Sequence, residues 1–236
     1  MQWKIFVSPS DQNRNLYAAG NTNEAEQCGA IAGLLVTALE RCGFSAKTNT
    51  TDEMEDRVAA SNRWGADMHI CIHTNAFNGK VQGTRLFCYS KSGEGYKACR
   101  SVMAALAPIT PGDSDSITEN PKLYELKNTN AVAVYVEIGF HDNKEEAAWI
   151  ASHNLEIAEA ICRGVCGYYG ISYVREKAEM GGTAVYNTMD EVPGYAKSTI
   201  EKLLRKDLLV GTEKGLELSK DMIRIFTILD RAGLFD

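Results

Sequence analysis

Met-His-Ile-Cys-Ile-His-Thr-Asn-Ala, residues 68–76, is the stretch on which the fold turns. It is apolar almost throughout and stops at a polar Thr-Asn pair, which predicts an inner strand opening into a loop. Side chains alternate along a strand, so His69 and His73, four apart, point to the same face. His73 falls at the strand's end, where α/β sheets build their sites, whereas His69, deeper in the run, reads as a hydrogen-bonded core residue.

Working outward, β-rich runs recur at residues 4–8, 45–48, 84–89 and 131–138. Between them, residues 23–42 place Ile31, Leu34, Leu35 and Leu39 at helical spacing with Gly43 as the stop, and residues 52–64, 95–106 and 145–169 read the same way. Strands alternating with helices predict an α/β domain: a mixed, mostly parallel sheet covered by helices on both faces. This domain is expected over residues 1–173. A polar stretch ending in a glycine pair, residues 174–183, reads as a linker, and residues 184–236 as a small all-α domain. Its helices are predicted at 193–205 and 220–232, with Ser219 as an N-cap and Gly233 as a stop. Those last 53 residues hold no histidine and no cysteine, so metal or thiol chemistry belongs to the first domain.

The chain has 236 residues, enough for one full domain and a smaller one, and 44% of them are hydrophobic, which excludes a disordered or collagen-like polymer. Lys and Arg number 25 against 31 Asp and Glu, and the net charge of -6 argues against a nucleic-acid partner or an anionic membrane surface. No apolar run approaches the roughly 20 residues of a membrane span, so no membrane insertion is expected. The opening Met-Gln-Trp-Lys-Ile-Phe-Val meets Ser8-Pro9 too early for a signal peptide, which predicts cytoplasmic synthesis. Seven scattered cysteines suit reduced thiols, and Cys162 and Cys166, four apart on a helix, read as packing residues. A thiol mechanism through Cys71 and His73 fails because Cys71 lies inside the apolar run, without an activating environment.

A second polar intrusion occurs in Val-Ala-Val-Tyr-Val-Glu-Ile-Gly-Phe-His-Asp-Asn, residues 132–143, where Glu137 interrupts an apolar strand. A carboxylate there needs a metal, a base, a donor or an ion pair, for which Arg85 is a candidate. His141 and Asp142, on the following turn, read as solvated loop residues.

Five segments, residues 4–12, 23–32, 72–76, 122–126 and 136–143, occur in an order that resembles the zinc-dependent N-acetylmuramoyl-L-alanine amidases, including those used as phage endolysins. The likeness covers roughly residues 3–172. It implies a Zn²⁺ site in which His73 and Glu24 are ligands, Glu137 is the catalytic base and Asn75 shapes the substrate pocket. At the first ligand position, where the family usually has histidine, this chain has Asp11, followed by Gln12. A carboxylate oxygen can bind zinc. Two carboxylate ligands would make a bound water less acidic and favour harder ions such as Mn²⁺. The implied reaction cleaves the amide between N-acetylmuramic acid and L-alanine in bacterial peptidoglycan. The alternative is a non-catalytic, metal-poor peptidoglycan-binding relative.

The tail, through residues 191–197 and 218–233, resembles small helical modules of Gram-positive phage lysins. That likeness implies wall attachment, with Tyr195 and Arg224 as contact candidates; the alternative is a helix pair that stabilises the enzyme or a dimer. An endolysin would wait in the cytoplasm until a holin or lysis releases it to the wall.

Overall fold

A computed structural model describes residues 2–49, 53–175 and 185–235. The chain divides into two compact units, Met1–Glu176 and Lys177–Asp236. The first holds a six-stranded sheet of β1 (Lys4–Pro9), β2 (Ser45–Thr48), β3 (Met68–Asn75), β4 (Arg85–Cys88), β5 (Ser116–Glu119) and β6 (Val132–Phe140), in the order β2-β1-β3-β6-β4-β5. All neighbours run parallel except β4 and β6. β3 is flanked by β1 and β6, and every residue from Met68 to Thr74 is buried, which is why its sequence is a continuous apolar run rather than an alternating one.

Helices cover both faces of the sheet. On one, Ile5, Val7, Ile70, Ile72, Val134 and Val136 pack in a single core with Ile31 and Leu35 of α1 (Glu24–Arg41), Val102 of α3 (Glu94–Leu106) and Ile161 of α6 (Asn154–Tyr169). Gly164 lets α6 approach α3: a Cβ there would lie 2.4 Å from the Cα of Val102. On the other, Cys71, Ala133 and Tyr135 pack against Leu126 of α4 (Tyr124–Asn128), which lies beside α2 (Met54–Trp64). Alternation puts His69, Cys71 and His73 on this second face, and the fold thereby separates the main core from the polar side chains.

Two details of this unit differ from the sequence reading. The predicted helix over 145–169 is two helices, α5 (Lys144–Ser152) and α6, separated at His153, whose backbone leaves the helical region (φ -125°, ψ 28°) while its ring bonds the Trp149 carbonyl at 2.8 Å. β5 and α4 carry no predicted counterpart, being only four and five residues long. Asp52, where a helix was expected to begin, and most of the 174–183 segment lie outside the described residues.

The cysteines of the described residues are all buried free thiols. Cys162 and Cys166 meet Cys42, whose Sγ lies 3.7 Å from that of Cys162, where α1 packs on α6.

The second unit contains α7 (Lys197–Arg205) and α8 (Lys220–Arg231), packed through Val192, Ala196, Ile200, Leu203, Leu218 and Ile223. Ser219 accepts the Met222 amide at 3.2 Å, capping α8. α7 begins four residues later than predicted, because residues 193–196 form a turn closed by the Ala196 amide on the Pro193 carbonyl (2.9 Å).

Candidate active site

The polar side chains converge beyond the C-terminal ends of β1 and β3. Glu24 is the first residue of α1, where the exposed backbone amides of a helix start favour negative charge; Asn23 caps that helix by accepting the Glu26 amide at 3.0 Å. The Glu24 side chain is fully buried. Its Oε1 lies 3.0 Å from Nδ1 of His73 and accepts the Thr74 amide at 3.3 Å, and its Oε2 accepts the Asn15 side-chain amide at 2.6 Å. Burial acts to raise the Glu24 pKa, but the His73 and Asn15 contacts override it and hold the carboxyl below its ordinary value. Burial likewise acts to lower the His73 pKa; the Glu125 and Glu24 carboxylates at either end of the ring outweigh it and push it up to about 9.

Asp11 does not join this pair. Its carboxylate is held by Arg57 of α2, with Oδ2 3.3 Å from Nη1; Asp11 is 38% exposed and the guanidinium is buried to 1%. The sequence reading expects Asp11 as a ligand beside Glu24 and His73; in the structure its carboxylate is paired with Arg57 instead. A buried guanidinium favours a carboxylate partner, because burying its charge without compensation is costly. Gln12, the next residue, turns inward instead, its side-chain nitrogen 3.5 Å from both Oε1 of Glu24 and Nδ1 of His73.

Glu137 stands directly opposite His73 in the β3–β6 ladder. Its Oε2 is buried without a hydrogen-bond partner, and burial pushes the carboxyl up to about 7, with the His73 charge pulling it down and the Glu24 charge adding to the rise. Arg85 is Glu137's neighbour on β4, yet its guanidinium bonds Ser114 Oγ at 2.9 Å and lies 5.6 Å from the Phe140 ring centre. Among the described residues no ion pair joins the two. Gly139 follows because Glu146 packs against it: a Cβ at 139 would meet that carboxylate at 3.2 Å, where Glu146 accepts the Phe140 and Gly83 amides. Asn75, at the end of β3, lines a cleft of about 350 Å³ with Phe77, Val81, Arg85 and Phe140.

His141 is another correction. It is only 6% exposed rather than solvated, stacks on Tyr17, bonds Thr74 Oγ1 at 3.0 Å, and brings Nδ1 within 3.9 Å of Glu24 Oε2. Asp142 accepts the Phe77 and Gly79 amides at 2.9 and 2.8 Å, tying the loop after β3 to the turn after β6.

Sequence reasoning also missed a buried network behind His73. Glu125 of α4 is fully buried; its Oε1 accepts Ser8 Oγ at 2.5 Å and lies 3.2 Å from Nε2 of the equally buried His69, while Arg57 Nε donates to Ser8 Oγ at 3.0 Å. Residues 122–126 enter the sequence reading as one of the five resembling segments, but a charged residue between Leu123 and Leu126 reads by itself as an exposed helix position.

A family model described as N-acetylmuramoyl-L-alanine amidase matches residues 9–167. The chain belongs to this family. It is 26% identical over 170 residues to N-acetylmuramoyl-L-alanine amidase CwlM of Bacillus licheniformis, covering 68% of this chain and 65% of that one. It is 31% identical over 130 residues to an uncharacterized cell wall amidase of Bacillus anthracis, covering 51% of this chain but 24% of that one. The chain thus spans less than two thirds of either relative. Among solved structures, the N-acetylmuramoyl-L-alanine amidase of Clostridium difficile 630 superposes with a TM-score of 0.65 at 22% identity, covering 72% of this chain and 97% of that one. This likeness establishes the amidase fold, a mixed sheet flanked by helices.

The family is generally zinc-dependent, and this amidase-family chain offers donors of the right kind. Glu24 Oε1 and His73 Nδ1, a carboxylate oxygen and an imidazole nitrogen 3.0 Å apart, are spaced as two neighbouring ligands of one ion, and the Gln12 side-chain amide nitrogen, a hydrogen-bond donor, lies 3.5 Å from both. Among the described residues, the trios of His, Cys, Asp or Glu with ligand atoms within 4.8 Å of one another are His69-Cys71-Glu125 and Cys42-Cys162-Cys166. The first lies beside the Arg57 cation and the second within helix packing. In the second unit, Tyr195 and Arg224 line one cavity of about 290 Å³ with Lys220, Thr227, Ile228 and Arg231.

Proposed function

We propose that this protein hydrolyses the amide between the lactyl group of N-acetylmuramic acid and the L-alanine of the peptidoglycan stem, with Glu24 and His73 holding Zn²⁺, or Mn²⁺ in its place, and Glu137 as general base. One observation carries the reading: a carboxylate and an imidazole spaced as a ligand pair, with an unpartnered, half-buried carboxylate opposite them on the neighbouring strand. Zinc bound there would polarise the scissile carbonyl and make an attacking water acidic near neutral pH. Glu137, an unpartnered carboxylate opposite His73, is placed to take a proton from that water and return it to the leaving amine. Asn75 and the adjoining cleft face the substrate side of the site, and Gln12 completes the polar rim in place of Asp11.

The role is that of an endolysin: the protein is made in the cytoplasm and reaches the wall after a holin or lysis opens the membrane, and the second unit attaches to the wall. Tyr195 and Arg224 support attachment because an aromatic ring and a guanidinium share one cavity with two further cations, Lys220 and Arg231, a surface suited to an anionic wall polymer. The deciding experiment incubates purified protein with cell walls and measures metal content and new L-alanine amino termini. Stoichiometric zinc with rising amino termini is expected. Intact walls and a protein that takes up no Zn²⁺ or Mn²⁺ would instead indicate the non-catalytic peptidoglycan-binding relative.

A further inference from the structure

Glu125 is buried completely, yet the mechanism above gives it no task. One oxygen, Oε1, is satisfied by Ser8 and His69. The other, Oε2, has no hydrogen-bond partner and points at a second buried atom in the same condition, Nε2 of His73, 3.6 Å away. Two orphaned polar atoms facing each other across so short a gap define one interaction. The imidazole is thus held at both ends, Nδ1 by Glu24 and Gln12, Nε2 by Glu125, with its plane stacked on Tyr135 at 4.4 Å between ring centres.

A histidine that gives one nitrogen to a metal commonly gives its other N–H to a carboxylate, which fixes the tautomer and the ring orientation. We propose that Glu125 is the positioning residue of this site: it holds the proton on Nε2 of His73 and leaves Nδ1 as the lone-pair donor beside Glu24. The proposal rests on the reading of Glu24 and His73 as metal holders. Arg57 makes the arrangement tolerable. It donates to the same Ser8 hydroxyl that bonds Glu125 and pairs with Asp11, so the buried negative charge has a buried positive one close by. Asp11 thereby acts through a chain of contacts behind the site rather than within it. With no accessible surface, Glu125 cannot touch substrate, and its influence passes through His73 alone.

Glu125→Gln separates this role from simple packing. The amide keeps an oxygen for Ser8 and His69 but presents an N–H to His73, which favours the opposite tautomer. The variant should unfold at a temperature near that of wild type, bind Zn²⁺ about 10- to 100-fold more weakly by calorimetric titration, and lose the downfield, slowly exchanging Nε2–H signal of His73 in proton-nitrogen NMR. That signal is expected in the wild type with or without zinc, so it tests the Glu125 contact even if the variant fails to fold. Its absence from the wild type, or unaltered zinc affinity in a folded Glu125→Gln, overturns the proposal. A wild type that shows the signal but takes up no zinc would refute the metal reading and confine Glu125 to orienting the ring.

Discussion

His73 and Glu137 occupy directly opposed positions on β3 and β6, the two central strands of the sheet. The pairing explains how residues 64 positions apart in the chain reach one site without relying on a flexible loop. It places the proposed base on a rigid element, and the consequences of altering either partner can be worked out.

Glu137→Gln should leave zinc uptake intact and lower release of L-alanine amino termini by about 10²- to 10⁴-fold, the usual contribution of a positioned general base. The same variant carries a pH signature in metal-free protein. The folded carboxyl, at about 7, keeps a proton that the unfolded chain releases near the ordinary 4.5. Wild-type stability therefore falls as pH rises through that window, whereas the amide has nothing to lose. Urea unfolding should find the variant more stable by up to about 3 kcal/mol above pH 7 and equal to wild type below pH 4.5. Equal stability at pH 8 would show that the carboxyl is better solvated than its surroundings indicate.

Zinc held by His73 as proposed would have to displace a proton from its ring, which is pushed up to about 9. Apparent affinity should thus rise about tenfold per pH unit between pH 6 and 9 and level off above. Chelator should abolish amidase activity, and Zn²⁺ or Mn²⁺ should restore it. Activity that survives exhaustive chelation, with no metal left by elemental analysis, would remove the ion from the reaction.

Because Asp11 is bound to Arg57, Asp11→Asn should cost about 1 kcal/mol of stability, modest because Asp11 is partly exposed. Zinc affinity should change less than about threefold, because the Asp11 carboxylate is engaged with Arg57 rather than with Glu24 or His73. Gln12→Ala should do the reverse, with thermal stability near wild type and zinc affinity weakened by about tenfold. If calorimetry ranks the two variants the other way, Asp11 swings in to bind the ion.

Tyr195→Ala and Arg224→Ala, each made in the full-length Glu137→Gln protein so that walls are not digested, should reduce co-sedimentation with purified walls by about 5- to 30-fold, the range for anchoring residues of an interface. Walls stripped of anionic polymer should bind wild type and Arg224→Ala alike. Retention equal to wild type for both variants on intact walls would place attachment elsewhere.

Much of the sheet was legible because burial on both faces leaves a plain mark: β3 and β6 are apolar runs broken only by groups that have somewhere to go. The same logic singled out Glu137 and His73. It failed at Glu125, Arg57 and His141, whose neighbours in sequence resemble those of ordinary helix or turn residues. Their burial depends on contacts with residues 46 to 117 positions away, such as Ser8 with Glu125 and Arg57 with Asp11. Periodicity over 145–169 runs on across His153 and predicts one continuous helix; the break shows only in the folded backbone of His153 and in its ring contact with Trp149.

Sequence alone determined the α/β class, the central strands and the candidate pair His73 and Glu137, since alternation and apolar runs are local consequences of how a strand is buried. The choice between Asp11 and Gln12 beside Glu24, and the place of Glu125 behind His73, were decided by tertiary structure. A side chain's partner is set by which charge is nearest after folding, and the buried guanidinium that claims Asp11 belongs to a helix 46 residues further along the chain.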